Sequence, residues 1–314
     1  MQPGLVECVP NFSLGGDPVF LEDLRRAVQA VPGAVVLDAS SDADHNRSVL
    51  TFAAAPAAAE AAALAAVGVA SAAIDMRNQR GVHPRIGATD VLPFIPLEGV
   101  GEAECVALAH RVGERMAAEF GIPIFFYGAA AKSAARRALP ELRRGGYEAL
   151  AERSRLGQSI EPDCGPTLVH PSAGASAVGV RPFLVAYNIN LAGGDLALAR
   201  SIARAIRESN GGLPAVRALG LWLAGPGLAQ VSINLCDFRL TGVLEVFERV
   251  ESLARQAGVG IHASELIGLV PRAALDAESA ARVKLPGFEV ALHVIEERVQ
   301  SMSAAARQRL DSNG

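Results

Sequence analysis

Phe183-Leu184-Val185-Ala186-Tyr187-Asn188-Ile189-Asn190-Leu191, followed by Gly193-Gly194-Asp195, is the stretch that decides the fold. Phe183, Val185, Tyr187, Ile189 and Leu191 recur at every second position, so they share one face of a strand, and Asn188 and Asn190 point the other way. Asp195 then caps a helix with Leu198, Ile202 and Ile206 on one stripe, ended by Gly211-Gly212. Val216 to Leu223 and Gln230 to Leu235 read as a hairpin around Ala224-Gly225-Pro226-Gly227. A second helix begins at Thr241 and turns Val243, Val246, Phe247, Val250 and Leu253 inward; Gly258 stops it, and Val259 to His262 gives a last strand. The order is β-α-β-β-α-β, the split βαβ arrangement of ferredoxin-like folds.

The N-terminal half shows a weaker version of the same order. Leu5 to Val9 is a strand, and Asp17-Pro18 pairs an N-cap with proline at the first helical position. Leu21, Leu24, Val28 and Val31 follow at helical spacing. Ala34 to Ala39 and Arg47 to Phe52 are two strands around a turn at Asp42 to Asn46, and Ala53 to Ala73 is an alanine-rich helix. Val91 to Ile95, a helix from about Glu102 to Glu119, and Ile122 to Phe126 complete this half. The fold class expected is α/β of the α+β kind, with two ferredoxin-like βαββαβ-type subdomains whose mixed sheets face each other. Their ranges are 1–178, including a Gly-, Pro- and Ser-rich linker over 143–178, and 179–314. A connection of that length is uncommon in a compact domain unless it is functional.

Helices in such a fold cover one sheet face and leave the other to find its own cover. Asn188, Asn190, Gln230, Ser232 and Asn234 all fall on that second face. An amide-rich face suits a wall of a polar ligand cleft, with the N-terminal sheet opposite; the plainer alternative is a solvated antiparallel face.

The chain has 314 residues, 50% hydrophobic and 20% charged, which is globular composition with room for two domains. Its net charge is −4 and no basic run stands out, which argues against nucleic acid as a partner. The arginines between Arg136 and Arg144 read as a solvated helix face, with a small anionic ligand as the sharper alternative. Met1-Gln2-Pro3-Gly4 carries no basic segment ahead of an apolar run, so no secretory signal is read there. The alanine-rich stretch is interrupted by Pro56 and Glu60 and reads as a buried helix rather than a membrane span. Cys8, Cys105, Cys164 and Cys236 are far apart, which fits a reduced, cytoplasmic protein and neither a disulfide framework nor a zinc knuckle.

Among residues that carry chemistry, His83 is the most conspicuous. It lies in Arg80-Gly81-Val82-His83-Pro84-Arg85-Ile86-Gly87, an irregular loop between arginines, where a histidine can exchange a proton near neutral pH or be incidental. His110 sits four residues before Glu114 on a helix, His45 lies in an acidic turn, and His262 and His293 have no constellation around them. His170, in the linker, is placed to contact a ligand. No spacing of His, Asp and Glu suggests a metal site. Asn11 follows Pro10 at the end of the first strand, where it can meet a substrate.

Taken together, the segments have a familiar order. Glu7-Cys8-Val9-Pro10-Asn11-Phe12-Ser13, His83-Pro84-Arg85-Ile86-Gly87-Ala88-Thr89-Asp90-Val91, Phe94-Ile95-Pro96, Tyr127-Gly128 with Ala130-Ala131, and Gly146-Tyr147-Glu148-Ala149-Leu150 resemble the glutamate formimidoyltransferase family. So do Pro162-Asp163 with Gly165-Pro166, Asn188-Ile189-Asn190-Leu191, Gln230-Val231-Ser232 with Asn234-Leu235, and Leu266-Ile267-Gly268-Leu269-Val270-Pro271. The resemblance spans nearly the whole chain. Leu14 departs from it, since relatives often carry a charged residue there.

The resemblance implies a folate tunnel between two subdomains, usually in a homodimer, and tetrahydrofolate as co-substrate with no metal. It implies formimidoyl transfer between N-formimidoyl-L-glutamate and tetrahydrofolate, in histidine breakdown as the usual setting, with small molecules as partners and neither nucleic acid nor membrane. His83 matches the catalytic histidine. The folate-binding stretch overlies Asp163, Gly165, Pro166, Thr167, Leu168, Val169, His170, Ser172 and Gly174. Asp38 is the candidate for steadying the amidine; Arg47, Arg85 and Arg181 are the candidates for the substrate carboxylates. Asn11, Asn188 and Asn190 complete the candidate substrate-binding set. Larger relatives carry a fused cyclodeaminase domain, and this chain stops before one, so transferase activity alone is expected. The alternatives are a related folate enzyme acting on formyl donors (N-formylglutamate or 5-formyltetrahydrofolate) and a non-catalytic folate-binding module.

Overall fold

A computed structural model describes residues 4–43, 46–80, 84–223 and 227–301. The chain divides into two compact units, one ending at Arg181 and one beginning at Pro182.

The first unit starts with β1 (Val6–Cys8) and β2 (Asn11–Phe12), two pieces of one strand line broken at Val9-Pro10. Proline cannot donate to a ladder, and just after it, between Asn11 and Phe12, the register shifts by a bulge. Next comes α1 (Pro18–Gln29), whose start follows the sequence pattern: the Asp17 carboxylate accepts from the Val19 and Phe20 amides at 2.9 and 3.0 Å. The hairpin β3 (Val35–Asp42) and β4 (Arg47–Ala54) leads into α2 (Pro56–Ala73), then β5 (Thr89–Pro96), α3 (Glu102–Phe120) and β6 (Ile124–Gly128). Two short helices follow, α4 (Leu139–Leu142) and α5 (Gly146–Arg155), before β7 (Ser176–Val180).

Among the described residues this unit forms a seven-stranded mixed sheet. Its spatial order is β3, β4, the β1/β2 line, β5, β7, β6; the first four are antiparallel neighbours, and β7 runs parallel to both β5 and β6. The β1/β2-α1-β3-β4-α2-β5 part is the expected ferredoxin-like unit, and α3, β6 and β7 extend it.

Helices α1, α2 and α3 cover one face, over a core that includes Leu24, Phe52, Phe94, Val112 and Phe126. By length and composition α2 is long and apolar enough to cross a membrane. Here its Ala59, Ala62, Ala63, Ala66 and Ala70 are buried in that core, and their small side chains let it approach the sheet closely.

The stretch read as a linker is instead part of the folded unit, and its end is a strand of the sheet. Strand β7 sits between two parallel neighbours, and its small residues explain both its place and its linker-like composition. A Cβ on Gly179 would run into the Tyr127 ring, and the Ser176 hydroxyl donates to the Thr89 carbonyl. Residues 139–169 cover the far face of the β5-β7-β6 half of the sheet, where Val91, Phe125, Tyr127 and Ala177 pack with Leu150 and Ile160. The far face of the other half, toward β3 and β4, keeps polar groups: Asp38, Thr51, Arg47, Glu7 and Asn11.

The second unit is the ferredoxin-like arrangement read from the sequence. It consists of β8 (Val185–Ala192), α6 (Leu196–Ile206), β9 (Val216–Leu223), β10 (Leu228–Leu235), α7 (Val243–Gln256) and β11 (Gly260–Ile267), then α8 (Ala277–Arg282) and α9 (Val290–His293). Among the described residues its sheet has four antiparallel strands in the order β11-β8-β10-β9. Tyr187, Ile189, Ile202, Val231, Phe247 and Val250 share its core with α6 and α7 on one face. Pairing of Gln230 with Asn190 and of Ser232 with Asn188 puts the amides together on the other face, as alternation required.

Candidate active site

The first unit has a small recess lined by Asn11, Phe12, Ser13, Asn46, Arg47, Arg85 and Asp90. The break at Val9-Pro10 brings Asn11 to its edge, where the amide Nδ2 donates to the Val9 carbonyl at 2.7 Å. At its centre is Asp90. One carboxylate oxygen accepts the Ile86 amide at 2.9 Å, and the other is ion-paired with Arg143. Burial pushes the Asp90 carboxyl up, and Arg143, the Ile86 amide and Arg47 hold it part of the way back. The Arg47 guanidinium is pushed down to about 10 by burial and by Arg143 beside it, with Asp90 opposing. Two guanidiniums thus face one buried carboxylate, and positive charge gathered in this way favours an anion.

Arg85 is buried and engaged elsewhere. Its Nη2 donates to the Glu148 carboxylate and to the Gln79 carbonyl, both at 2.8 Å, and its own carbonyl accepts the Tyr147 amide at 2.7 Å. Its Nε is a buried donor without a hydrogen-bond partner, as is Nε of Arg143. The segment from Pro84 to Asp90 is therefore clamped on several sides. Ser13 Oγ donates to the Gly87 carbonyl at 2.7 Å, and the Ser13 amide to the Ala88 carbonyl at 2.9 Å. From the other side, the Ala88 amide donates to Ala173 at 2.8 Å and the Ala175 amide to Ile86 at 3.0 Å. Gly174 has φ +75°, and a Cβ there would lie 2.5 Å from the Ile86 oxygen, so glycine is required by both conformation and space.

His83 and His45 lie outside the described residues. Asn11, Arg47 and Arg85 come together at the recess. Asp38 is half-buried on the polar part of the same sheet, paired across to Thr51. Arg181 ends the unit and hydrogen-bonds the Tyr127 phenol, whose pKa burial pushes up to about 12.

The Asp163 carboxylate accepts the Phe126 amide at 2.8 Å with one oxygen and meets Arg136 at 2.7 Å with the other, which ties it to β6. Gly165, Pro166, Thr167 and Leu168 are exposed, while Val169 is half-buried. His170 closes a tight turn with Gly174 through two backbone hydrogen bonds of 2.9 and 3.1 Å. Its Nδ1 accepts the Ser172 and Ala173 amides at 3.3 and 2.9 Å, and burial lowers its pKa.

In the second unit, Asn190 and Gln230 are buried on the amide face and tied to Glu265. Asn190 Nδ2 donates to Glu265 at 2.7 Å; Gln230 Nε2 donates to Asn190 at 2.8 Å and to Glu265 at 3.1 Å. Asn188 is half-buried on the same face. Sequence reading missed Glu265 because it ended β11 at His262, where a bulge interrupts the alternation. It also missed Asp90, Arg143 and Asn46. Arg143 carried a partial signal, as one of the arginines for which a small anion was considered. Among the described residues, no three His, Cys, Asp or Glu side chains gather as a metal-ligand set.

A family model described as "Formiminotransferase domain, N-terminal subdomain" matches residues 5–181, and one described as "Formiminotransferase domain" matches residues 186–296. The chain belongs to the formiminotransferase family. Similar proteins include a glutamate formimidoyltransferase of Streptococcus pyogenes serotype M1, 39% identical over 295 residues, with 94% of this chain and 98% of that protein covered. One from Thermoplasma acidophilum is 40% identical over 287 residues, covering 91% and 94%. The formimidoyltransferase-cyclodeaminase of Sus scrofa is 45% identical over 280 residues, covering 87% of this chain and 51% of that longer protein. The boundary between the two formiminotransferase matches falls where the two compact units part.

Proposed function

We propose that this formiminotransferase-family chain is an enzyme that transfers a formimidoyl group between N-formimidoyl-L-glutamate and tetrahydrofolate. The observation that carries the reading is likeness along the whole length to proteins named glutamate formimidoyltransferase, covering 98% and 94% of two of them. The arginine-rich recess beside the segment that follows His83 supports it, because both substrates carry carboxylates.

The chemistry needs one proton carrier. An amine nitrogen attacks the amidine carbon and must lose a proton. His83 takes that proton, then returns it to the nitrogen that leaves as the tetrahedral intermediate collapses. The same group therefore serves in either direction, with no bond formed between enzyme and substrate and without a metal. Asp38 steadies the cationic amidine. Arg47, Arg85 and Arg181 hold substrate carboxylates. Asn11, Asn188, Asn190, Asp163, Gly165, Pro166, Thr167, Leu168, Val169, His170, Ser172 and Gly174 bind folate and glutamate. Tetrahydrofolate is a co-substrate, and most of the rate comes from positioning two bound molecules. A cytoplasmic homodimer is the working form; the buried thiols of Cys8 and Cys105 fit that compartment.

The test is His83→Ala assayed for transfer from N-formimidoyl-L-glutamate to tetrahydrofolate, with formyl donors run alongside and folate binding measured separately. Loss of transfer with folate binding kept is the expected result. Full turnover in His83→Ala removes the histidine from the scheme, and turnover only with formyl donors replaces the substrate.

A further inference from the structure

Asn46 is one of four described non-glycine residues with positive φ, at +49°. Asparagine tolerates this left-handed conformation better than most side chains, and residues held in it often lie at functional sites. Its amide makes three hydrogen bonds to two distant stretches of chain. Oδ1 accepts the Gly15 amide at 2.9 Å; Nδ2 donates to Gln79 Oε1 at 2.8 Å and to the Arg80 carbonyl at 2.7 Å. Gly15 must be glycine here, because a Cβ would run into the Asp42 carbonyl and the Arg47 amide.

Gln79 is held a second time, from the far end of the same loop, by Arg85 Nη2 at its carbonyl, 2.8 Å away. Asn46 and Arg85 thus converge on Gln79-Arg80, and both line the recess that holds Arg47 and Asp90. The chain leaves this anchor at Arg80 and returns to it at Arg85. His83 is in the intervening sequence.

We infer that Asn46 is a positioning residue for the transfer reaction, fixing the Gln79-Arg80 anchor of the His83 segment to the β3–β4 turn. The inference rests on the proton-carrier role assigned to His83 above. Asn46 need not touch substrate. It supplies two donors at one fixed point, which no isosteric residue reproduces. An aspartate at this position keeps the acceptor for Gly15 and loses both donors, setting oxygen against the Arg80 carbonyl oxygen. A glycine removes the side chain and relieves the backbone conformation.

The experiment uses the full chain with Asn46→Gly, Asn46→Asp, His83→Ala and the Asn46→Gly/His83→Ala double variant. Melting temperature, kcat, and KM for each substrate are measured for all four. Both Asn46 variants are expected to melt near the parent, with kcat down roughly tenfold or more and each KM within about twofold. In the His83→Ala background, adding Asn46→Gly is expected to change the residual rate by less than about twofold, because the group being positioned is gone. Parental kcat in both Asn46 variants overturns the inference. So does a loss that persists undiminished in the His83→Ala background, which means Asn46 acts by another route. Full turnover in His83→Ala alone retires the histidine assignment and the positioning role with it, and it is read in a variant where Asn46 is intact.

Discussion

Replacing Asp90 by asparagine would change one atom at the centre of the recess and leave its shape intact. Asn Oδ1 can keep the Ile86 amide, but its Nδ2 then faces the Arg143 guanidinium, donor against donor. Arg143 and the neighbouring Arg47 lose the buried carboxylate that faces them both. The Asp90 side chain is 4% exposed and that of Arg143 13%, so solvent restores little of the lost interaction. Breaking one half of a buried pair costs about 3–5 kcal/mol. The partial exposure of Arg143 and Arg47 argues for the lower end, about 3 kcal/mol, and for a unit of this size that is a melting shift of roughly 6–12 °C.

The ion pair itself is not thereby a large source of stability. Burial raises the Asp90 pKa, so desolvation outweighs the stabilisation that its partners give the charged form. Removing both charges, as Asp90→Asn/Arg143→Met, should recover more than half of the loss. The assay is thermal melting by circular dichroism on parent, single and double variants. A single variant within about 1 °C of the parent, or a double variant worse than the single, would refute the reasoning.

Burial lowers the His170 pKa below its ordinary value of about 6.5, so the unfolded chain binds more protons over the interval between the two values. Stability from this group is full above pH ~6.5 and is lost as pH falls through the lowered value. Melting temperature should therefore drop on acidification, and less so in His170→Asn, whose oxygen can accept the Ser172 and Ala173 amides without titrating. An equal drop in both proteins would assign the acid loss elsewhere. In the second unit, Glu265→Ala strands the Asn190 donor and part of that of Gln230, at a cost of about 1–3 kcal/mol. Urea denaturation of the full chain should show it, and an unmoved midpoint would mean that the amides find other partners.

Much of the fold was legible because the signals were local. Alternation in Val185 to Leu191 and in Gln230 to Leu235, with helical spacing in α6 and α7, specified the second unit strand by strand, including the face that carries Asn188, Asn190, Gln230 and Ser232. Asp17 and Asp195 announced their helix starts, and both accept the amides expected of N-caps. Strand β7 was not legible. A strand squeezed between two parallel neighbours against the Tyr127 ring needs small residues, and a run of Ser, Ala, Val and Gly reads as connection. The site divides in the same way. Arg47, Arg85 and Asn11 were drawn from sequence, whereas Asp90, Arg143 and Asn46 carried too little local pattern to single them out.

The sequence by itself determined which faces of its strands and helices are apolar, where its helices begin, and which family's motif order it carries, since each of these is written in residues a few positions apart. Only the tertiary structure decided that Arg143 meets Asp90 across 53 positions and that Asn46 reaches Gln79 across 33. The physical reason is that periodicity encodes burial, while the partner of a buried charge or amide is set by which distant segments fold against it.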